Sequence, residues 1–80
     1  MIEGKFLTTL PSVVGYDIEK SYGILIENSI ISANTALKDL VKKAEELGCN
    51  ALVNVRIDSS ANGILAYGEG VIVKEKPFSY

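Results

Sequence analysis

The feature that most constrains this chain is a single helical stripe. From Ala33 to Leu47 the apolar residues fall at Ala33, Ala36, Leu37, Leu40, Val41, Ala44 and Leu47, the i, i+3, i+4 spacing of one buried helix face. Ser32 or Asn34 stands where an N-cap belongs. Gly48 stands where a left-handed C-cap belongs. The other face carries Lys38, Asp39, Lys42, Lys43, Glu45 and Glu46. Its mixed sign, with Asp39 and Lys43 in the favourable i, i+4 order, suits a solvated surface better than a phosphate site. One helix in an 80-residue chain can cover only one face of a sheet.

The rest reads as strands. Lys5 to Leu10, Asp17 to Asn28, Ala51 to Asp58 and Ile64 to Lys74 are rich in β-branched and alternating apolar residues. Pro11 and Gly15 punctuate the first gap. Ser59 to Gly63 is a turn, and Asn62-Gly63 is the strongest hairpin signal in the chain. Gly23, inside a strand, indicates a bulge, a bend or a close backbone contact. The predicted order is β-β-α-β-β, an α+β fold with the helix on one face of a small antiparallel sheet. Period-two alternation puts Ile18, Tyr22, Ile24 and Ile26 on one face of their strand. It groups Ala51, Val53, Val55 and Ile57 in the next. Ala66, Gly68 and Gly70 in the last strand are small enough for the helix to approach closely.

The same alternation leaves Leu25, Leu52, Leu65, Tyr67, Val71 and Val73 on the face away from the helix. Apolar patches above a few hundred Å² mark interfaces, so these six residues form the expected oligomer interface. A free-energy balance agrees. Folding 8.6 kDa buries roughly 7,800 Å², about 60% of it apolar, and that apolar share contributes on the order of 115–120 kcal/mol. Ordering the chain costs about 120 kcal/mol. Self-association is the expected source of the missing stability.

Composition excludes several classes. Hydrophobic residues make up 48% of the chain, too many for disorder. A net charge of −2 lacks the basic surplus of a nucleic-acid binder. Cys49 is the only cysteine, so there is no internal disulfide. The chain contains no histidine, which removes the usual general base and the commonest transition-metal ligand. The N-terminus does not read as a signal peptide, and no apolar run approaches the ~20 residues of a membrane span. The expectation is one cytoplasmic domain over residues 1–80, with 1–4 and 77–80 as loose tails. Phe78 and Tyr80 are candidates to dock on a neighbour instead.

Thr8-Thr9-Leu10-Pro11, Val14-Gly15-Tyr16-Asp17-Ile18, Tyr22-Gly23-Ile24, the helix end Ala44-Glu45-Glu46-Leu47-Gly48-Cys49-Asn50-Ala51-Leu52-Val53 and the closing Gly70-Val71-Ile72-Val73-Lys74 together resemble the YbjQ family. That family is labelled heavy-metal-binding and is functionally uncharacterised. The resemblance runs from about Thr8 to Lys74. It implies a small domain similar in fold to a dodecin subunit, assembled as a ring-shaped homopentamer. The chain departs from the family pattern in two places. The segment Glu27 to Leu37 lacks a longer Gly- and Arg-rich insertion. Cys49 stands where alanine is usual.

Candidate sites follow from residue chemistry. Cys49 is the one soft ligand, but a helix C-terminus disfavours the thiolate, and a packed turn residue is the plainer reading. Asp58 and Glu69 are oxygen ligands near the hairpin, better suited to Ca²⁺ or Mg²⁺ than to a soft metal. As isolated strand carboxylates they are equally well explained by solvation. Arg56 is placed to pair with Glu69 across the sheet. Tyr16, Tyr22, Tyr67 and Tyr80 are candidates for stacking on a flat ligand or for core and interface positions. No nucleophile or acid–base constellation stands out, and Gly68-Glu69-Gly70 lacks phosphate-loop spacing. The expected function is a non-enzymatic homo-oligomer without a cofactor and without nucleic-acid or membrane partners. The alternative is an oligomer that binds a metal or small molecule at subunit interfaces.

Overall fold

Strand pairing around one central strand organises the chain, as a computed structural model describing residues 2–77 shows (for Ser60, the backbone alone). A 3-10 turn at Gly4–Phe6 leads to β1 (Tyr16–Ser29), α1 (Ala33–Leu47), β2 (Ala51–Ser60) and β3 (Gly63–Glu75). The sheet order is β1-β3-β2, with both outer strands antiparallel to β3. β1 and β2 therefore run parallel to each other across β3. Such a pair needs a long crossover, and α1 supplies it. Strands of up to 14 residues at about 3.3 Å per residue account for the long axis of the 51 × 21 × 19 Å body.

The helix begins and ends as its sequence predicts. Ser32 Oγ accepts from Thr35 N at 3.1 Å, so Ser32, not Asn34, is the cap. Gly48 ends the helix at φ 96°. Gly48 N donates to Glu45 O and Cys49 N to Ala44 O, the paired bonds of a Schellman motif. Ala36, Leu40 and Ala44 are fully buried. The β2–β3 hairpin is also in the expected place, with a tighter turn. Ser60 pairs with Gly63, and only Ala61 and Asn62 lie between the strands. Gly63 at φ 128° fits beneath Ser29, whose carbonyl oxygen would lie 2.7 Å from an added Cβ.

The predicted first strand is absent. Leu7 makes one isolated parallel bridge to Leu52 on the outer edge of β2. Thr8 N donates to Leu52 O, Val55 N to Thr8 O and Asn54 N to Leu10 O. Beyond Leu10 the chain crosses the sheet face opposite the helix, and Val13 is buried there. Nor do residues 1–4 form a loose tail at Ile2. Ile2 is buried in the helix-side core, and its N–H donates to Glu45 Oε2 at 2.6 Å. Phe78 and Tyr80, the expected docking aromatics, lie outside the described residues.

β-Bulges re-sort the predicted faces. β1 slips by one residue between Ile18 and Lys20 and again between Ser21 and Ile24. β2 slips between Val53 and Arg56. Gly23 at φ 82° and Asn54 at φ 55° sit in two of these bulges. Each extra residue reverses the alternation beyond it. Tyr22 thus packs toward the helix side, away from the face it was expected to share with Ile24 and Ile26. Ala51 and Val53 pack on one side of the sheet, and Val55 packs on the other. Leu25 and Leu52, expected on the free face, lie in the helix-side core. Gly70 makes room for Leu25 and Cys49: a Cβ there would stand 2.8 Å from Leu25 Cδ1 and 2.9 Å from Cys49 Sγ. Gly68 and Gly70 thus make room for neighbouring strand and turn atoms, while Ala66 lies in the cluster of Ala36, Leu40 and Ala44.

Candidate functional site

The face opposite the helix divides at the level of the two facing bulges. Toward the β1 N-terminus it holds a second core of Val13, Ala51, Val53, Val71 and Val73, bordered by Phe6 and Tyr16. Phe6 and Tyr16 meet edge to face, with ring centroids 5.0 Å apart and planes at 87°, a favoured aromatic geometry. Asn50 closes this end of the sheet. Its side chain donates to Val73 O at 3.0 Å and accepts from Val73 N at 2.8 Å, so it continues the β2–β3 ladder past the end of β2. Val71 and Val73 are therefore on the expected face but already covered by the chain's own N-terminal segment.

Toward the hairpin the same face is bare. Ile24 and Ile26 of β1 pair with Glu69 and Tyr67 of β3 and are 73% and 52% exposed. Tyr67 pairs with Arg56 on its other side, and Leu65 pairs with Asp58. Tyr67 Oη donates to Asp58 Oδ2 at 2.6 Å. That bond to a carboxylate, with some desolvation, raises the phenol above its ordinary value. Ser21 Oγ donates to Glu69 Oε2. Arg56 does not pair with Glu69 as expected. Its Nη1 donates to Thr9 O and Val55 O, both at 2.9 Å, and so ties the N-terminal segment to β2. Of the six expected interface residues, Leu65 and Tyr67 are the ones on this bare half.

The predicted metal ligands do not meet. Cys49 is buried on the helix side, and burial pushes its thiol up, against the thiolate a soft metal needs. Asp58 and Glu69 lie across the sheet from it, each engaged by a hydroxyl. Among the described residues no three Cys, Asp or Glu side chains converge to hold a metal ion. The described donors of one protomer thus do not fit a heavy metal. Tyr16 and Tyr22 are taken up by the two cores. Tyr67 is the one described tyrosine on the bare face, and Tyr80 lies outside the described residues.

A shallow apolar groove of about 400 Å³ runs along the outer edge of β2, lined by Leu7, Leu37, Val55, Arg56 and Ile57 among others. On the far side of the sheet, the loop after β1 presents Ile30 and Ile31, 86% and 78% exposed. Ser29 Oγ accepts from Ile31 N and Ser32 N, which fixes that loop against the end of β1. Sequence periodicity did not reveal these two features, because the groove forms only where the N-terminal segment lies beside β2.

Comparison with known proteins places this arrangement in a family. The profile of the YbjQ family, described as "Putative heavy-metal-binding", matches residues 32–74, just over half of the chain. A UPF0145 protein of Thermoplasma acidophilum is 38% identical over 77 residues, covering 90% of this chain and 61% of that protein. A UPF0145 protein of Bradyrhizobium is 35% identical over 78 residues, covering 91% of this chain and 67% of that protein. The chain belongs to the YbjQ family. It spans about 60% of the length of its Thermoplasma relatives. A crystal structure of a DUF74-family protein of unknown function from Pediococcus pentosaceus shares the fold, with a TM-score of 0.50 at 16% identity. That match covers 92% of this chain and all of the other. Among the described residues no helix is long and apolar enough to cross a membrane.

Proposed function

We propose that this YbjQ-family chain is a non-enzymatic, cytoplasmic subunit of a homo-oligomer. The observation that carries the reading is exposed apolar surface toward the hairpin: Ile24 and Ile26 on the bare face, Ile30 and Ile31 on the loop after β1 and Ile57 in the β2-edge groove are all 44% exposed or more. Burying one such side chain contributes about 1.5–3 kcal/mol, so a neighbour covering several would offset the cost of association. Both outer strands also present backbone edges, and among the described residues β1 has none of the cover that residues 7–10 give β2. The resemblance to the YbjQ family makes a closed ring of five the preferred arrangement. The protomer has no histidine and no converging acid–base set among its described residues, which favours a binding or scaffolding role over catalysis.

A second reading places a metal or small-molecule site between subunits. It draws on one observation: Asp58, Glu69 and Tyr67 share the bare face, so assembly through that face would bring copies of them near one another. A native mass spectrum of the purified chain, with and without added divalent metals, tests both readings. The first predicts a single assembly of several 8.6 kDa subunits whose mass is unchanged by metal. A fixed metal stoichiometry per assembly supports the second. A monomer at micromolar concentration refutes both.

A further inference from the structure

We infer that neighbouring copies join head to tail, with Ile30 and Ile31 of one protomer seated in the β2-edge groove of the next. The inference rests on the homo-oligomer reading and names its contact. The donor is a fixed apolar knob: two consecutive isoleucines, 86% and 78% exposed, on a loop held by Ser29 Oγ. Isolated exposed apolar residues are ordinary, but two adjacent ones on a hydrogen-bonded loop form a shaped protrusion. The acceptor is the groove between Leu7, Leu37, Val55 and Ile57, rimmed by Arg56 and lined almost wholly by apolar surface.

The two features belong to opposite edges of one sheet. Ile30 and Ile31 continue from β1, one outer strand, and the groove runs along β2, the other. When the β1 flank of one copy faces the β2 flank of the next, each copy keeps an unused knob at one end and an unused groove at the other. That contact is heterologous, and it repeats until it closes into a ring or extends as a filament. A twofold dimer cannot use it at both ends. The area is sufficient. A stable interface takes about 800 Å² from each partner, while one flank of a body 51 × 21 × 19 Å presents about 1,000 Å² in projection. Ile24 and Ile26, also on the β1 side of the sheet, extend the apolar strip that a neighbour would cover.

The test uses two variants of the 80-residue chain, each confirmed as folded by circular dichroism, with mass read by light scattering and native mass spectrometry. Ile30→Asp with Ile31→Asp removes the knob, and Ile57→Glu charges the groove. All three positions are exposed enough for the protomer to keep its fold. Each variant alone is expected as the 8.6 kDa monomer. Mixed together, they are expected to form a 1:1 dimer and nothing larger, because only one intact knob and one intact groove remain. Retention of the wild-type subunit number by either variant overturns the contact while leaving the homo-oligomer reading intact. Recovery of the full assembly on mixing overturns the head-to-tail arrangement. A monomeric wild type overturns both the contact and the reading beneath it.

Discussion

The two halves of the sheet face away from the helix are built from the same three strands and finished differently. Around Val71 and Val73 the chain's own residues 6–16 supply the cover, and Val53 and Val71 are fully buried. Around Tyr67, Ile24 and Ile26 stand exposed, with none of the described residues covering them. The boundary falls at the bulges beside Gly23 and Asn54. Asn54 N and Val55 N donate to Leu10 O and Thr8 O there, so the β2 bulge helps tie the covering segment to the sheet. A one-helix fold thus completes one and a half faces from its own described residues and leaves the hairpin half of the second face exposed.

Removing residues 1–14 should have the largest effect, because it strips the cover from the finished half. Exposing several valines at about 1.5–3 kcal/mol each consumes most of a stability of about 5–15 kcal/mol, so circular dichroism should show an unfolded chain. A truncated chain with an unchanged melting temperature would break the distinction between the halves. Val71→Ala should cost about 2 kcal/mol or more in denaturant unfolding. Ile26→Ala on the bare half should change protomer stability by no more than about 0.5 kcal/mol, and its effect should appear in subunit number instead. Asn50→Ala should cost about 1–3 kcal/mol, since it leaves the Val73 N–H and C=O without their partner.

The smallest effect is a titration. Tyr67 donates to Asp58, and its ionisation is pushed above the ordinary tyrosine value. A folded-state value above the unfolded one contributes stability that is present at neutral pH and lost as pH rises past the ordinary value of about 10. Asp58→Ala should return the Tyr67 absorbance transition toward that value. An unshifted transition would show that the carboxylate does not hold this hydroxyl.

Much of this was legible in the sequence. The stripe from Ala33 to Leu47, Ser32, Gly48 and the Asn62-Gly63 signal are local features, and local geometry decides them. Gly23 announced its bulge because glycine readily takes a positive φ. The bulge at Asn54 was not legible, since neither Val53 nor Val55 beside it breaks the alternation. That one extra residue carried Val55 to the opposite side from Val53, while Leu25 and Leu52 turned out to lie toward the helix rather than the free face. Val13 looked like loop because Pro11 and Gly15 flank it, and its burial comes from a tertiary path that period-two patterns do not encode. Asn50 drew no structural reading from the sequence, and its side-chain ladder bonds exist only because β3 runs past the end of β2. The candidate ligands Cys49, Asp58 and Glu69 were chosen by residue type, and the sheet separates Cys49 from the other two.

The central claim is that the bare hairpin half is covered by another copy of this chain. Light scattering on the wild-type chain at micromolar concentration tests it most directly. The account predicts one species at a whole multiple of 8.6 kDa, reduced by Ile30→Asp with Ile31→Asp. A single 8.6 kDa species for the wild type would contradict it.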